Sequence, residues 1–143
     1  MKKSMNKLTF VLMATMMLMF SFSATTSASG NSIQELYLGQ LWLNGAEMAV
    51  SGNVAIPSSQ AYGPNGTAEI AVLLWKQNSD GNWYVIQGEN RLITANGQSQ
   101  AFSLSDLRYD PRQPNLWSGV YKVSFIAPPG STWSNLNAWT WYN

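Results

Sequence analysis

From residue 32 onward, apolar and polar positions alternate in short runs, and turn-forming dipeptides interrupt them at regular intervals. Between Glu69 and Lys76, Ile70, Val72 and Leu74 alternate with Ala71, Leu73 and Trp75, so this stretch is apolar on both faces and reads as a central strand. Over 119–127, Tyr121, Val123 and Phe125 fall on one face while Lys122 and Ser124 fall on the other beside Val120 and Ile126, the pattern of a half-buried strand. Further strands are predicted over 35–43, 46–56, 83–87, 91–94, 100–104 and 137–142. Asn44-Gly45, Asn65-Gly66, Asp80-Gly81 and Asn96-Gly97 tolerate the positive φ of tight turns, and Pro128-Pro129-Gly130 adds another break. The single helical signal is one turn over 105–109, which Ser105 would cap ahead of Pro111. About seven or eight short strands at this spacing predict an all-β fold, an antiparallel β-sandwich that is Ig-like in architecture. Residues 29–143 form one domain in this reading, with no internal repeat, heptad pattern or low-complexity linker to suggest a second.

The first 28 residues follow a different pattern. Lys2, Lys3 and Lys7 precede an apolar run from Leu8 to Phe22, and small residues follow it. This is the layout of a secretory signal peptide. The run is shorter than the roughly 20 residues a membrane-spanning helix needs. Cleavage is expected near Ala28, which with Thr26 supplies the small-x-small site, whereas a cut after Ala24 would place bulky Phe22 upstream. The sequence thus predicts residues 1–28 as leader and a secreted, extracellular mature chain. Cys is absent, so the leader cannot carry a thioether-linked lipid, and stability must come without disulfides. A bacterial source is expected.

Loss of the leader changes the charge. The mature chain keeps five cations (Lys76, Arg91, Arg108, Arg112, Lys122) against seven acids, a net charge of −2 where the whole chain has +1. A mildly acidic domain with scattered cations has no electrostatic footprint for nucleic acid or anionic lipid. With no His and no Cys, the Ser-His-acid triad, the thiolate nucleophile, the imidazole metal site and the structural zinc cluster are all excluded. No Gly-rich phosphate loop is present. Glu69 and Glu89 are the most placeable carboxylates, and both read as solvated edge or loop charges. Asn78, Asp80, Asn82 and Glu89 share part of an EF-hand spacing, but Trp83 stands where the sharp turn needs Gly, so a hairpin loop is the better reading. No enzyme, metal or cofactor is expected.

Aromatic residues supply the positive signal. All seven Trp and six Tyr lie beyond the leader, with Phe102 and Phe125, more than a core of this size requires. Near the C-terminus Trp133, Trp139 and Trp141 alternate with Asn135, Asn137 and Asn143. Trp139 and Trp141 share one strand face, and Ala138, Thr140 and Tyr142 share the other. Flat rings stack on pyranose faces while neighbouring amides bond the hydroxyls, so Trp133, Trp139, Trp141 and Tyr142 are candidate residues for binding a cell-envelope or extracellular glycan. Core packing of the same rings is the competing reading. A second candidate is the 108–115 loop, where Arg108, Tyr109 and Arg112 lie around Pro111 and before Pro114, a stiff feature suited to protein recognition or protease inhibition. A third reading is a secreted antimicrobial or membrane-active factor using interfacial Trp and Tyr. The expectation is a non-catalytic binding protein for a glycan, with a protein target next and a membrane only in the third reading.

Overall fold

The computed structural model describes residues 30–105, 107 and 116–141, and the backbone of 21–25. Its strands are β1 (Ser21–Thr25), β2 (Ser32–Ala55), β3 (Thr67–Gln77), β4 (Trp83–Thr94), β5 (Ser99–Leu104), β6 (Leu116–Ala127) and β7 (Thr132–Trp141). Every pairing among them is antiparallel, so the all-β antiparallel class is observed. Of the expected leader only the strand Ser21–Thr25 is described, and the expected cleavage point lies outside the described residues.

Everything is arranged around β2. This strand is 24 residues long and has two sets of neighbours. Its first half lies between β1 and β6, and the order continues β1-β2-β6-β3-β4. Its second half, from Glu47 to Ala55, lies between β5 and β7. The Asn44-Gly45 dipeptide, expected to make a hairpin turn, is instead a bend inside this continuous strand. The register with β6 shifts on both sides of Asn44, and Gly45 has φ 76°. A β-bulge uses the same positive-φ tolerance as a tight turn, and it strengthens the local twist enough for one strand to serve both halves.

Turns at Asp80-Gly81, Asn96-Gly97 and Pro128-Pro129-Gly130 join consecutive strands as the sequence predicts. Asn78 Oδ1 accepts from the backbone N–H of Asp80 at 3.0 Å and of Asn82 at 2.9 Å, which closes the polar 78–82 segment as an Asx-stabilised hairpin. The stretches predicted at 83–87 and 91–94 are one strand, β4.

Alternation places the core. Leu36 on β2, Ile70, Val72 and Leu74 on β3, and Tyr121, Val123 and Phe125 on β6 are fully buried from one half, and Val50 and Val54 on β2 from the other. The halves fold over on each other through aromatic contacts: Phe125 of β6 meets Phe102 of β5 at 6.1 Å between centroids and Trp133 of β7 at 5.8 Å, and Phe102 meets Trp133 edge-on at 5.9 Å. Gly52 permits this closeness, since a Cβ there would stand 2.5 Å from Leu136 Cδ2 and 3.1 Å from the Phe102 ring. Each large side chain buried in this way contributes on the order of 1.5–3 kcal/mol.

Candidate functional site

The outward face of β2-β6-β3-β4 is built from the alternate positions that the core leaves over. Register places Tyr37 beside Lys122, Lys122 beside Trp75, and Trp75 beside Val85. One step along the strands lie Glu35, Ser124, Leu73 and Gly88, and one step further Ile33, Ile126, Ala71 and Asn90. A bulge sets the aromatic end. Leu74 pairs with Gln87 and Trp75 with Val85, so Ile86 is the extra residue of β4. Without that residue Trp83 and Val85 would turn to the opposite face, because a one-residue slip reverses a strand's alternation.

Three rings and one cation then form a unit. Tyr37 packs edge-on against Trp83 at 6.1 Å. Lys122 Nζ lies 5.0 Å from the centre of the Trp83 ring and 5.5 Å from that of Trp75. Its charge meets Glu35 Oε1 at 2.7 Å, and Ser124 Oγ donates to the same oxygen at 3.2 Å. Holding a cation between two ring faces and a carboxylate fixes all four side chains, a preorganised platform. Tyr37 remains 45% exposed, so its ring surface is available at the top of this unit.

At the far end the face runs into a cleft of about 370 Å³ lined by Gln60, Tyr62, Glu69, Ala71 and Ile126 among others. Asn90 Nδ2 donates to Glu69 Oε1 at 2.9 Å, and the Glu69 backbone N–H donates to Tyr62 Oη at 2.9 Å. From Trp75 to Glu69 the face extends about 20 Å at roughly 3.3 Å per residue. It offers rings at one end, carboxylate, amide and hydroxyl groups at the other, and the apolar Leu73, Ala71, Ile33 and Ile126 between them.

The residues singled out from sequence are distributed differently. Trp139 and Trp141 share the outward face of β5-β2-β7, opposite Ala49 and Glu47 of β2, while Ala138 and Leu136 go to the core. Trp139 is 38% exposed, and Trp141 Nε1 donates to the Ser105 carbonyl at 3.2 Å. Trp133 is on the other side of the same strand, packed against Phe102 and Phe125, because the register shift between Ser51 and Asn53 turns it inward. The structure therefore brings Trp139 and Trp141 together and separates Trp133 from them. Tyr142, Arg108, Tyr109 and Arg112 lie outside the described residues. Tyr37, Trp75, Trp83 and Lys122 were not singled out by sequence reasoning. Their assembly from four strands depends on register, for which single-strand alternation carries no signal.

Comparison with known proteins adds a likeness of fold. No protein-family model matches the chain, and no curated protein sequence matches it. Among solved structures, the enzymatically active domain of tailspike protein 4 of bacteriophage CBA120 is similar with a TM-score of 0.50 and 9% identity, over 87% of this chain and 16% of that one. A structure of carbohydrate-binding modules of the β-sandwich superfamily is similar with a TM-score of 0.43 and 12% identity, over 84% of this chain and 56% of that one. The chain thus spans a small part of the tailspike's length, and the likeness is one of architecture.

Two further features flank the platform. Trp42 and Trp117 are 83% and 59% exposed on neighbouring strands at the bulged bend, where Ser118 Oγ accepts from the Leu43 N–H and donates to the Leu43 carbonyl. On the inner side, Lys76 Nζ stands 5.4 Å from the Tyr121 ring centre. Burial, the nearby Tyr84 and, in the opposite sense, a hydrogen bond to the Trp117 carbonyl leave the Tyr121 hydroxyl pKa pushed up to about 12. Among the described residues, no three acidic side chains gather into a metal-binding group, and no helix is long and apolar enough to cross a membrane.

Proposed function

We propose that this protein is a secreted, non-catalytic binding module of the two-sheet sandwich type that recognises an extracellular or cell-envelope glycan along the outward face of β2-β6-β3-β4. One observation carries the reading: Tyr37, Trp75 and Trp83 are clamped round Lys122 and Glu35 on an open sheet face, in line with the Glu69, Asn90 and Tyr62 cleft. Fixed rings supply the stacking surface for sugar, and the oriented carboxylates and amide supply partners for hydroxyls. Removal of the leader after Ala28 would take β1 with it and free the edge of β2 beside Tyr37. The test is retention of the purified protein on insoluble peptidoglycan, cellulose and chitin, read by Trp absorbance. Wild type should be retained on at least one polymer and released by its soluble oligosaccharide, and Tyr37→Ala/Trp83→Ala should lose that retention while keeping its circular dichroism. Retention of the double variant at the wild-type level would remove this face as the binding surface.

A membrane-associated reading is favoured by one feature, the pair Trp42 and Trp117, since exposed indoles partition to the membrane interface. Dye leakage from liposomes that disappears in Trp42→Ala/Trp117→Ala would support it.

A further inference from the structure

The platform has a charge asymmetry that bears on which glycan it accepts. Lys122 is the one cation on the outward face of β2-β6-β3-β4 among the described residues, and its charge is consumed by Glu35 and two ring faces. The cleft at the other end contains a carboxylate, Glu69, with no cation among its lining residues. That carboxylate is oriented. Asn90 holds Oε1 at 2.9 Å, and the Glu69 backbone is fixed by Tyr62 Oη. Tyr62 is itself anchored: its N–H and that of Gly63 donate to the Thr67 carbonyl at 3.1 and 2.8 Å, while Thr67 Oγ donates to the Pro64 carbonyl at 2.7 Å. A 69% exposed ring is thereby set beside an oriented anion in an open cleft of about 370 Å³.

We infer that this cleft is a subsite for an amino sugar carrying a free ammonium group, with Glu69 as its counter-ion and Tyr62 as its stacking surface. The inference rests on the glycan reading above and narrows it to polymers containing de-N-acetylated hexosamine. An ammonium donating to a carboxylate makes a short, charge-assisted bond about twice as strong as a neutral one, whereas an acetamido group offers Glu69 only a neutral donor and extra bulk. A uronic acid polymer would bring like charge to Glu69 with no free cation among the described residues of the face to offset it.

The test is calorimetric titration with glucosamine oligomers, N-acetylglucosamine oligomers of equal length and an oligouronate. Wild type should bind the glucosamine oligomer at least tenfold more tightly than the acetylated one and the oligouronate not at all, and the preference should fade at about 1 M salt, where the screening length falls to about 3 Å. Glu69→Gln should erase the preference by lowering affinity for the glucosamine oligomer to that for the acetylated one, and Tyr62→Ala should weaken both. Equal affinity of wild type for the two oligomers, or a preference that survives in Glu69→Gln, overturns the subsite and leaves the glycan reading in place. Failure of wild type to bind any oligomer or polymer, with the folded state confirmed by near-ultraviolet dichroism, overturns both.

Discussion

The outward face of β2-β6-β3-β4 draws its rings from three strands and locks them round Lys122, whereas the outward face of β5-β2-β7 has Trp139 and Trp141 on a single strand above short Ser, Ala and Asn side chains. Both faces are rich in the same residue types. They differ in how the rings are held. In the first, each ring touches the cation or another ring, and in the second Trp141 is tied through its indole N–H to the Ser105 backbone while Trp139 stands over Ala49. Aromatic content marks where a face could bind, but cross-strand register decides whether its rings form a preorganised surface.

The largest change should abolish the comparison altogether. Phe125 is fully buried and joins the two halves through Phe102 and Trp133, so Phe125→Ala should cost about 3–5 kcal/mol and disrupt both faces together. Urea unfolding should show the midpoint falling with a single transition retained; separate transitions for the two halves would contradict a shared core. Next comes alkaline pH, which acts from the inner side of the first half. The Tyr121 hydroxyl is pushed up to about 12 in the folded state, above its ordinary 10.0, so the folded protein holds that proton more tightly. Its contribution is complete below about pH 10 and is lost as pH rises towards 12, on the order of 3 kcal/mol. Denaturant midpoints measured from pH 9 to 12 should fall steeply in wild type and less in Tyr121→Phe.

A smaller effect sharpens the contrast between faces. Tyr37→Ala/Trp83→Ala should weaken retention on the preferred polymer by tenfold or more, about 1.4 kcal/mol, and Trp139→Ala/Trp141→Ala by less than threefold. Affinity electrophoresis in polymer-loaded gels would rank the two pairs, and the reverse ranking would transfer the binding role to β5-β2-β7. The smallest effect belongs to the Arg91–Glu89 pair, 2.9 Å apart on the β4 edge, with Arg91 47% exposed. Arg91→Ala should change stability by under about 1 kcal/mol and leave retention on either face untouched, as read by thermal melting and the same gels.

What could be read from the sequence follows the reach of its signals. The hairpins at Asp80-Gly81 and Asn96-Gly97 are local events, and so is the alternation that puts Trp139 and Trp141 on one side of β7. The Asn44-Gly45 bend uses the same residues as a turn because both exploit positive φ, and only pairing with β6 tells them apart. Trp83 illustrates the limit more sharply. Its position at a strand start is legible, but its outward direction depends on the extra residue Ile86, and its partners Tyr37 and Lys122 are distant in sequence. Trp133 differs from Trp139 through a similar register shift, near Asn135 with its φ of 52°.

The long strand β2 also determines how the molecule can be divided. Ser32–Ala55 supplies a pairing edge to β6 in its first half and to β5 and β7 in its second, with the bend at Gly45 between them. A chain opened at that bend would give two pieces, neither of which can close the core alone, since the shorter piece carries Leu36 and the longer one Val50, Val54 and all of β3 to β7. Fused to two interacting partners, the pieces should regain the fluorescence of the partly buried Trp133 only when brought together, which makes Gly45 a natural place to convert this protein into a split proximity reporter.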